Sequence, residues 1–311
     1  MNLIGRRKLW YAVSLLIIIP GTISLVMFGL RLGIEFKGGQ NLEVKGQISQ
    51  SDIQDKIGSL GLKDVSIVSS GANSVVRYRD EAQPKVQQSN HQALTKDLAA
   101  KGHPEVSFET VGPSVSRDIT RNALLSVALA SVAIVLYIAF AFRNIPPPMT
   151  SWQFGLVAIV AMLHDALLLI GLFSILGVMA GIEIDSLFIT AVLTVIGFSV
   201  HDTIVVFDRI RENLRRERGS FEEIVNTSIL ETLARSLNTS LTVLLALLAL
   251  YLVGGESIKL FVLALIVGIA SGTYSSILTA SPLLVTWHNW QQKRALPSKL
   301  TKNQNLKSEP S

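Results

Sequence analysis

Along the chain, long apolar runs alternate with short polar turns. Six of them, at approximately 10–30, 122–142, 152–176, 186–207, 234–253 and 258–285, are each long enough to cross a hydrocarbon core, which takes about 20 helical residues. Between the first two runs the period changes. Short alternating stretches predict strands at Asn41–Lys45, Val65–Val68, Ser74–Arg79 and Val106–Glu109, and helical spacing predicts helices at Asp52–Leu60 and about Asn90–Lys101. The resulting order, βαββαβ, is the split βαβ or ferredoxin-like arrangement. Both helices show a capping-box pattern, Ser51 to Gln54 and Ser89 to Gln92. The fold class expected is a membrane α-helical protein of six transmembrane helices with one inserted α+β domain.

Composition agrees with a membrane solvent. Of 311 residues, 49% are apolar and 16% charged, and the mean hydropathy of +0.44 is high for a soluble globule. The absence of cysteine removes disulfides, thiolate metal ligands and thiol nucleophiles, and no metal or cofactor is expected. The net charge of +5 gathers beside the apolar runs, which suits a role in membrane topology better than nucleic-acid binding. Gly5-Arg6-Arg7-Lys8 resembles the start of a signal peptide, but the apolar run behind it is too long and carries no small-residue cleavage site, so it reads as a retained anchor.

Arginine and lysine also give an orientation. Arg6, Arg7 and Lys8 precede span one, Arg143 follows span two, Arg209, Arg211, Arg215, Arg216 and Arg218 follow span four, and Lys293 and Arg294 follow span six. All four places lie on one side of a six-span chain, which the positive-inside rule makes the cytoplasm. The opposite turns carry Glu183, Asp185 and Glu256 with Lys259. The expected organisation is a cytoplasmic N-terminus and first span over 1–30, an outside domain over 31–118, spans two to six over 119–290 with a basic cytoplasmic loop at 208–230, and a disordered tail over 291–311. The same charge rule serves a bacterial plasma membrane and an internal photosynthetic membrane.

An ionisable side chain at the bilayer centre costs at least about 2.5 kcal/mol on insertion scales, so each one invites a reason. His164 and Asp165 lie midway along span three, His201 and Asp202 in span four, and Arg235 near the start of span five. Asp202 and Arg235 sit at similar depth, and Thr239 follows Arg235 by one turn on the same face. A carboxylate that alternates between pairing with arginine and taking a proton is a proton-coupled switch. The bland alternative is a static ion pair that sets helix register. His201 is either a relay member or a group that orients Asp202, and His164 with Asp165 forms a possible secondary polar site or a simple interhelical bond. Gly268 and Gly272 in span six are spaced for close helix packing, and Gly38-Gly39 after span one marks a turn.

The run GFSVHDTIVVFDRIREN at Gly197–Asn213 closely resembles the signature of the SecF family, membrane subunits that assist the bacterial Sec protein-export channel. GIEFKGG at Gly33–Gly39, VGP at Val111–Pro113, HD at His164–Asp165, IEID at Ile182–Asp185 and RSLNTSLT at Arg235–Thr242 follow in family order. The resemblance implies half of a resistance-nodulation-division type bundle that pairs with SecD. It implies use of the proton gradient, after the SecA ATPase has acted, to help draw preproteins through SecYEG. Asp202, Arg235 and Thr239 match the family's proton-path positions. His201 stands where the family usually has asparagine, Glu35 where it has aspartate, and Lys37 is also atypical within the glycine motif.

Two other functions compete. Asp165 and Asp202 on adjacent spans would serve as the carboxylates of an intramembrane aspartyl protease if they shared a proton, although the usual GxGD context is missing. A stand-alone exporter of lipids or small molecules from the same superfamily would normally need two six-span halves, in one chain or as a homodimer, and this chain carries one half with no internal repeat.

Overall fold

The computed structural model describes residues 2–306 apart from 82 and 217, with the side chains of 69, 70, 84 and 295–306 left out. Six of its helices are long and apolar enough to cross a membrane. After a short 3-10 turn at Ile4–Arg6, α1 (Arg7–Phe28) leads out of the bundle. It is followed by the one-turn α2 (Ile34–Lys37), β1 (Gly39–Lys45), α3 (Gln50–Leu60), β2 (Lys63–Ser70), β3 (Asn73–Arg79), α4 (Pro84–Ala100) and β4 (Glu105–Val111). The chain then returns through α5 (Pro113–Ala141), α6 (Ser151–Ala180), α7 (Ser186–Arg216), α8 (Phe221–Val253), α9 (Glu256–Ser275), a π-helical turn (Ser276–Ala280) and α10 (Ser281–Leu306).

The four strands form one antiparallel sheet in the order β2-β3-β1-β4. Leu42, Val44, Val76 and Tyr78 turn one face of its two central strands inward, where Ile53 of α3 and Leu94 and Leu98 of α4 cover them. This is the period-2 and period-3.6 matching that the alternation of residues prescribes.

Several boundaries differ from the sequence reading. The cap of α3 is Ser49, whose backbone N–H donates to Asp52 Oδ2 at 2.7 Å, two residues ahead of the expected Ser51–Gln54 pair. Ser89 and Gln92 lie inside α4, which starts at Pro84 because proline has no N–H to lose in the first helical turn. The basic segment at 208–230 is largely helical. Helix α7 continues to Arg216 and α8 begins at Phe221 behind the Ser220–Glu223 capping box. These extensions are tied together by Arg209 Nε–Glu231 at 2.6 Å, and by Asn213 Nδ2, which donates to Ser228 Oγ at 3.0 Å and to Glu231 at 2.8 Å. The polar segment expected to be disordered after 291 is helical through Leu306, and 307–311 lie outside the described residues.

Helices α6, α7 and α9 make the centre of the bundle, while α1, α5 and α8 expose long apolar faces such as Leu16, Val26, Leu129, Leu136, Leu241 and Leu245. Gly268 and Gly272 of α9 face α7. A Cβ on Gly268 would overlap the Val195 side chain, and one on Gly272 would stand 3.2 Å from Ser199 Cα. Apolar lipid gives helices no hydrophobic reason to associate, so this close backbone approach supplies the packing. Gly268→Leu is therefore expected to lower stability by at least about 1–3 kcal/mol through overpacking. Thermal unfolding of the detergent-solubilised chain measures it.

Candidate intramembrane site

Asp165 is the most enclosed ionisable group in the bundle, with no solvent exposure. Its Oδ2 accepts from Ser199 Oγ and Ser275 Oγ, both at 2.5 Å, and its Oδ1 accepts from Ser271 Oγ at 2.9 Å. His164 Nδ1 lies 2.9 Å from Oδ1. Hydroxyls from α7 and α9 thus meet a carboxylate from α6, because Ser271 and Ser275, four residues apart, share one face of α9. His164 Nε2 is buried without a partner among the described residues.

Asp202, 2% exposed, lies on the face of α7 that meets the same helix. Its Oδ2 accepts from Thr273 Oγ1 at 3.2 Å, and Thr273 shares a 2.5 Å hydrogen bond with Ser240 Oγ of α8. Beside it, Thr203 and Ser276 join hydroxyls at 2.9 Å, at the first residue of the π-helical turn. Asp165 and Asp202 share no hydrogen bond among the described residues, so the protease arrangement of two carboxylates around one proton is not built.

The expected ion pair between Asp202 and Arg235 is also not formed. Arg235 is exposed on α8 and lines an open cleft of about 370 Å³ with Val205, Asp208, Arg209, Glu212, Glu231 and Thr232. The reason is rotational. The buried stripe of α8 is Ser228, Thr232, Ser236 and Ser240, and Arg235 precedes Ser236 by one residue, roughly 100° around the helix. Thr239 is displaced from Ser240 in the same sense and is exposed, as is His201 on α7. The structure therefore joins Asp202 to Thr273 and Ser240, and leaves His201, Arg235 and Thr239 on the outer surface. Matching depth along two helices does not settle azimuth. The four-residue spacing of hydroxyls in α8 was the unread signal, and Ser236 Oγ in that stripe is buried without a partner among the described residues.

Gly38 and Gly39 shape the passage from α2 into β1. Both have positive φ, +74° and +141°, a region that side chains with Cβ rarely adopt. A Cβ on Gly39 would meet Tyr78 O at 3.0 Å, and one on Gly38 would meet Val111 O at 3.4 Å. Nearby, Leu32 pairs with Ile184 in an isolated bridge, through Gly33 N to Ile184 O at 2.9 Å and Ile184 N to Arg31 O at 2.8 Å. Arg77 of β3 reaches Glu183 at 2.6 Å. The inserted domain is thereby stitched to the α6–α7 connection. Glu35 lies at this joint, and burial pushes its carboxyl above the usual carboxylate range, with the charge of Asp185 adding to the effect.

Comparison with known proteins gives this geometry a family. Residues 91–290 match the model for the protein export membrane protein SecD/SecF, C-terminal, and residues 23–47 match the SecD/SecF GG motif. The chain belongs to the SecD/SecF family. It is 48% identical to the protein translocase subunit SecF of Thermobaculum terrenum, over 93% of this chain and 94% of that one. Identity to the SecF subunit of Synechocystis sp. is 34%, over 95% and 96% of the two chains. The crystal structure of SecDF from Thermus thermophilus, a translocon-associated membrane protein, superposes with a TM-score of 0.81 at 32% identity, covering 93% of this chain and 39% of that longer one. The chain is a SecF-type translocase subunit, spanning about two fifths of a fused SecDF chain. The exporter and protease readings are not favoured.

Two outcomes follow for this SecF-family chain. Asp165→Ala would take the acceptor from Ser199, Ser271 and His164 in the bundle, and is expected to cost about 1–3 kcal/mol for each group left unpaired in thermal unfolding, whereas Asp202→Asn, which keeps an acceptor for the Thr273 hydroxyl, should change little. Because the Glu35 pKa is raised on folding, the stability tied to it is present below the unfolded value and lost as pH rises through the folded value. Glu35→Gln should flatten that stretch of the unfolding midpoint plotted against pH.

Proposed function

We infer that this chain is the SecF-type half of a proton-driven pair, completed by a SecD-type six-helix partner and acting on preproteins at SecYEG after SecA. The observation that carries the reading is a buried carboxylate, Asp202, beside the Thr273 and Ser240 hydroxyls and without an ion-pair partner among the described residues, directly behind an exposed polar face. That face carries Thr190, Thr194, Gly197 and His201 along α7, and Arg235, Asn238, Thr239 and Thr242 along α8. The two stripes border one another, since Val205, one turn past His201, lines the same cleft as Arg235. Polar and charged side chains at membrane depth are unfavourable against lipid and normally face protein or an aqueous cavity, so this face suits a partner bundle.

Within such a pair, an ionised Asp202 needs a counter-charge, and a protonated Asp202 needs only its hydroxyls. Arg235 stands close along the bundle axis but turned outward. A rotation of α8 relative to α7 that brings its guanidinium toward Asp202 as the proton leaves, and frees it as the proton returns, is a two-state element that an ion gradient can bias. The joint formed by Arg77–Glu183 and Leu32–Ile184 would pass that movement to the inserted domain. We place this domain outside the plasma membrane with both termini in the cytoplasm, and assign it the ferredoxin-like class, supported by its βαββαβ order and the sheet order β2-β3-β1-β4.

Asp202→Asn and Arg235→Met are expected to abolish gradient-dependent stimulation of preprotein export in inverted membrane vesicles, while the variants still co-purify with the SecD-type subunit. Retained stimulation in both variants would reject the relay.

A further inference from the structure

We propose that the joint between the inserted domain and the bundle binds the headgroup of an anionic phospholipid. A cavity of about 510 Å³ opens there, bordered among the described residues by Arg31, Lys37, Arg77 and Arg79 and by the acidic Asp64 and Glu183. Both acids are already engaged, Glu183 with Arg77 and Asp64 with Arg79. Arg31 and Lys37 remain. Both are exposed and neither forms an ion pair among the described residues, and Arg31 NH1 makes only a long 3.4 Å bond to Gly177 O.

Position selects a lipid as the source of the anion. Arg31 follows the last residue of α1 by three positions, and its contact with Gly177 places it at the same end of α6. The exposed side chains around this level are apolar: Val26, Met27 and Phe28 just inside it on α1, and Val178 and Met179 beside it at the end of α6. A phosphate held by the guanidinium and the ammonium would leave its acyl chains lying along that surface. Guanidinium groups match phosphate oxygens by paired N–H donors, and basic pockets beside transmembrane helices are suited to anionic headgroups. Cations just outside a span also run against the charge bias of translocated segments, so their presence there calls for a local counter-ion.

The test uses the full chain in nanodiscs of phosphatidylcholine with a minor share of phosphatidylglycerol, followed by detergent extraction and mass spectrometry of retained lipid. The nanodisc offers both lipids in both leaflets, so an error in the proposed orientation or proton relay leaves this result unchanged. Phosphatidylglycerol should be retained selectively, with affinity falling about 5-fold for each charge removed in Lys37→Gln and in Arg31→Gln with Lys37→Gln. Lys37 forms no side-chain hydrogen bond or ion pair among the described residues, so an unchanged unfolding midpoint keeps Lys37→Gln informative if the double variant does not fold. Equal retention of the two lipids, undiminished retention in Lys37→Gln, or displacement by inorganic phosphate at the same concentration as effective as that by the lipid would each overturn the proposal.

Discussion

A carboxylate cannot be left bare in hydrocarbon, and much of this bundle is arranged around that fact. Asp165 sits on α6 with no exposure, and its oxygens draw hydroxyls from α7 and α9 together with the neighbouring imidazole. Ionisation without such donors would carry a desolvation penalty of several kcal/mol. The close approach needed to deliver short serine side chains explains why α9 presents Gly268 and Gly272 to α7, since a larger residue there would hold the helices apart. Polar satisfaction and small-residue packing are one device, in which each makes the other possible.

Asp202 contrasts with Asp165 in how firmly it is held. Its donor Thr273 stands at 3.2 Å with Ser240 beside it, where Asp165 has three hydroxyls at 2.5–2.9 Å and an imidazole. A carboxylate with many donors is locked in place, whereas one with few is free to change partner or protonation state. The division matches the proposed roles, with Asp165 as an anchor and Asp202 as the responsive group. The Thr203–Ser276 bond and the adjoining π-helical turn place a local departure from regular α-helix geometry beside Asp202, and such turns recur at functional positions in helices.

How far the chain could be read before the structure depended on the period of the signal. Length and apolarity located six spans, because each run had to exceed the bilayer thickness, and alternation located the four strands. Ends were harder. Ser51 and Ser89 looked like caps by local pattern, but Pro84 and Ser49 held the positions, and α7 and α8 continued beyond their apolar stretches because Arg209, Asn213 and Glu231 bond across the extensions. Five ionisable residues of the central runs, His164, Asp165, His201, Asp202 and Arg235, were named, while His288, buried in the last span, was not. The pairing of the five was not read, because depth along a helix was readable and rotation about it was not. Rotation was encoded in the Ser228, Thr232, Ser236 and Ser240 stripe, which leaves Arg235 and Thr239 roughly 100° away from the buried face of α8. It also shows why neither meets Asp202 within one half of the assembly.

The central claim is that the polar surface carrying His201, Arg235 and Thr239 is covered by a second bundle rather than by lipid. The chain has no cysteine, so a single introduced thiol reports its surroundings without background. The decisive measurement is photo-crosslinking from a thiol-attached probe at Thr239→Cys, compared with Leu129→Cys on the exposed apolar face of α5, in membranes containing both subunits. The account predicts a crosslink to the SecD-type subunit from Thr239→Cys and lipid adducts from Leu129→Cys. Lipid adducts from Thr239→Cys, with no subunit crosslink, would contradict it.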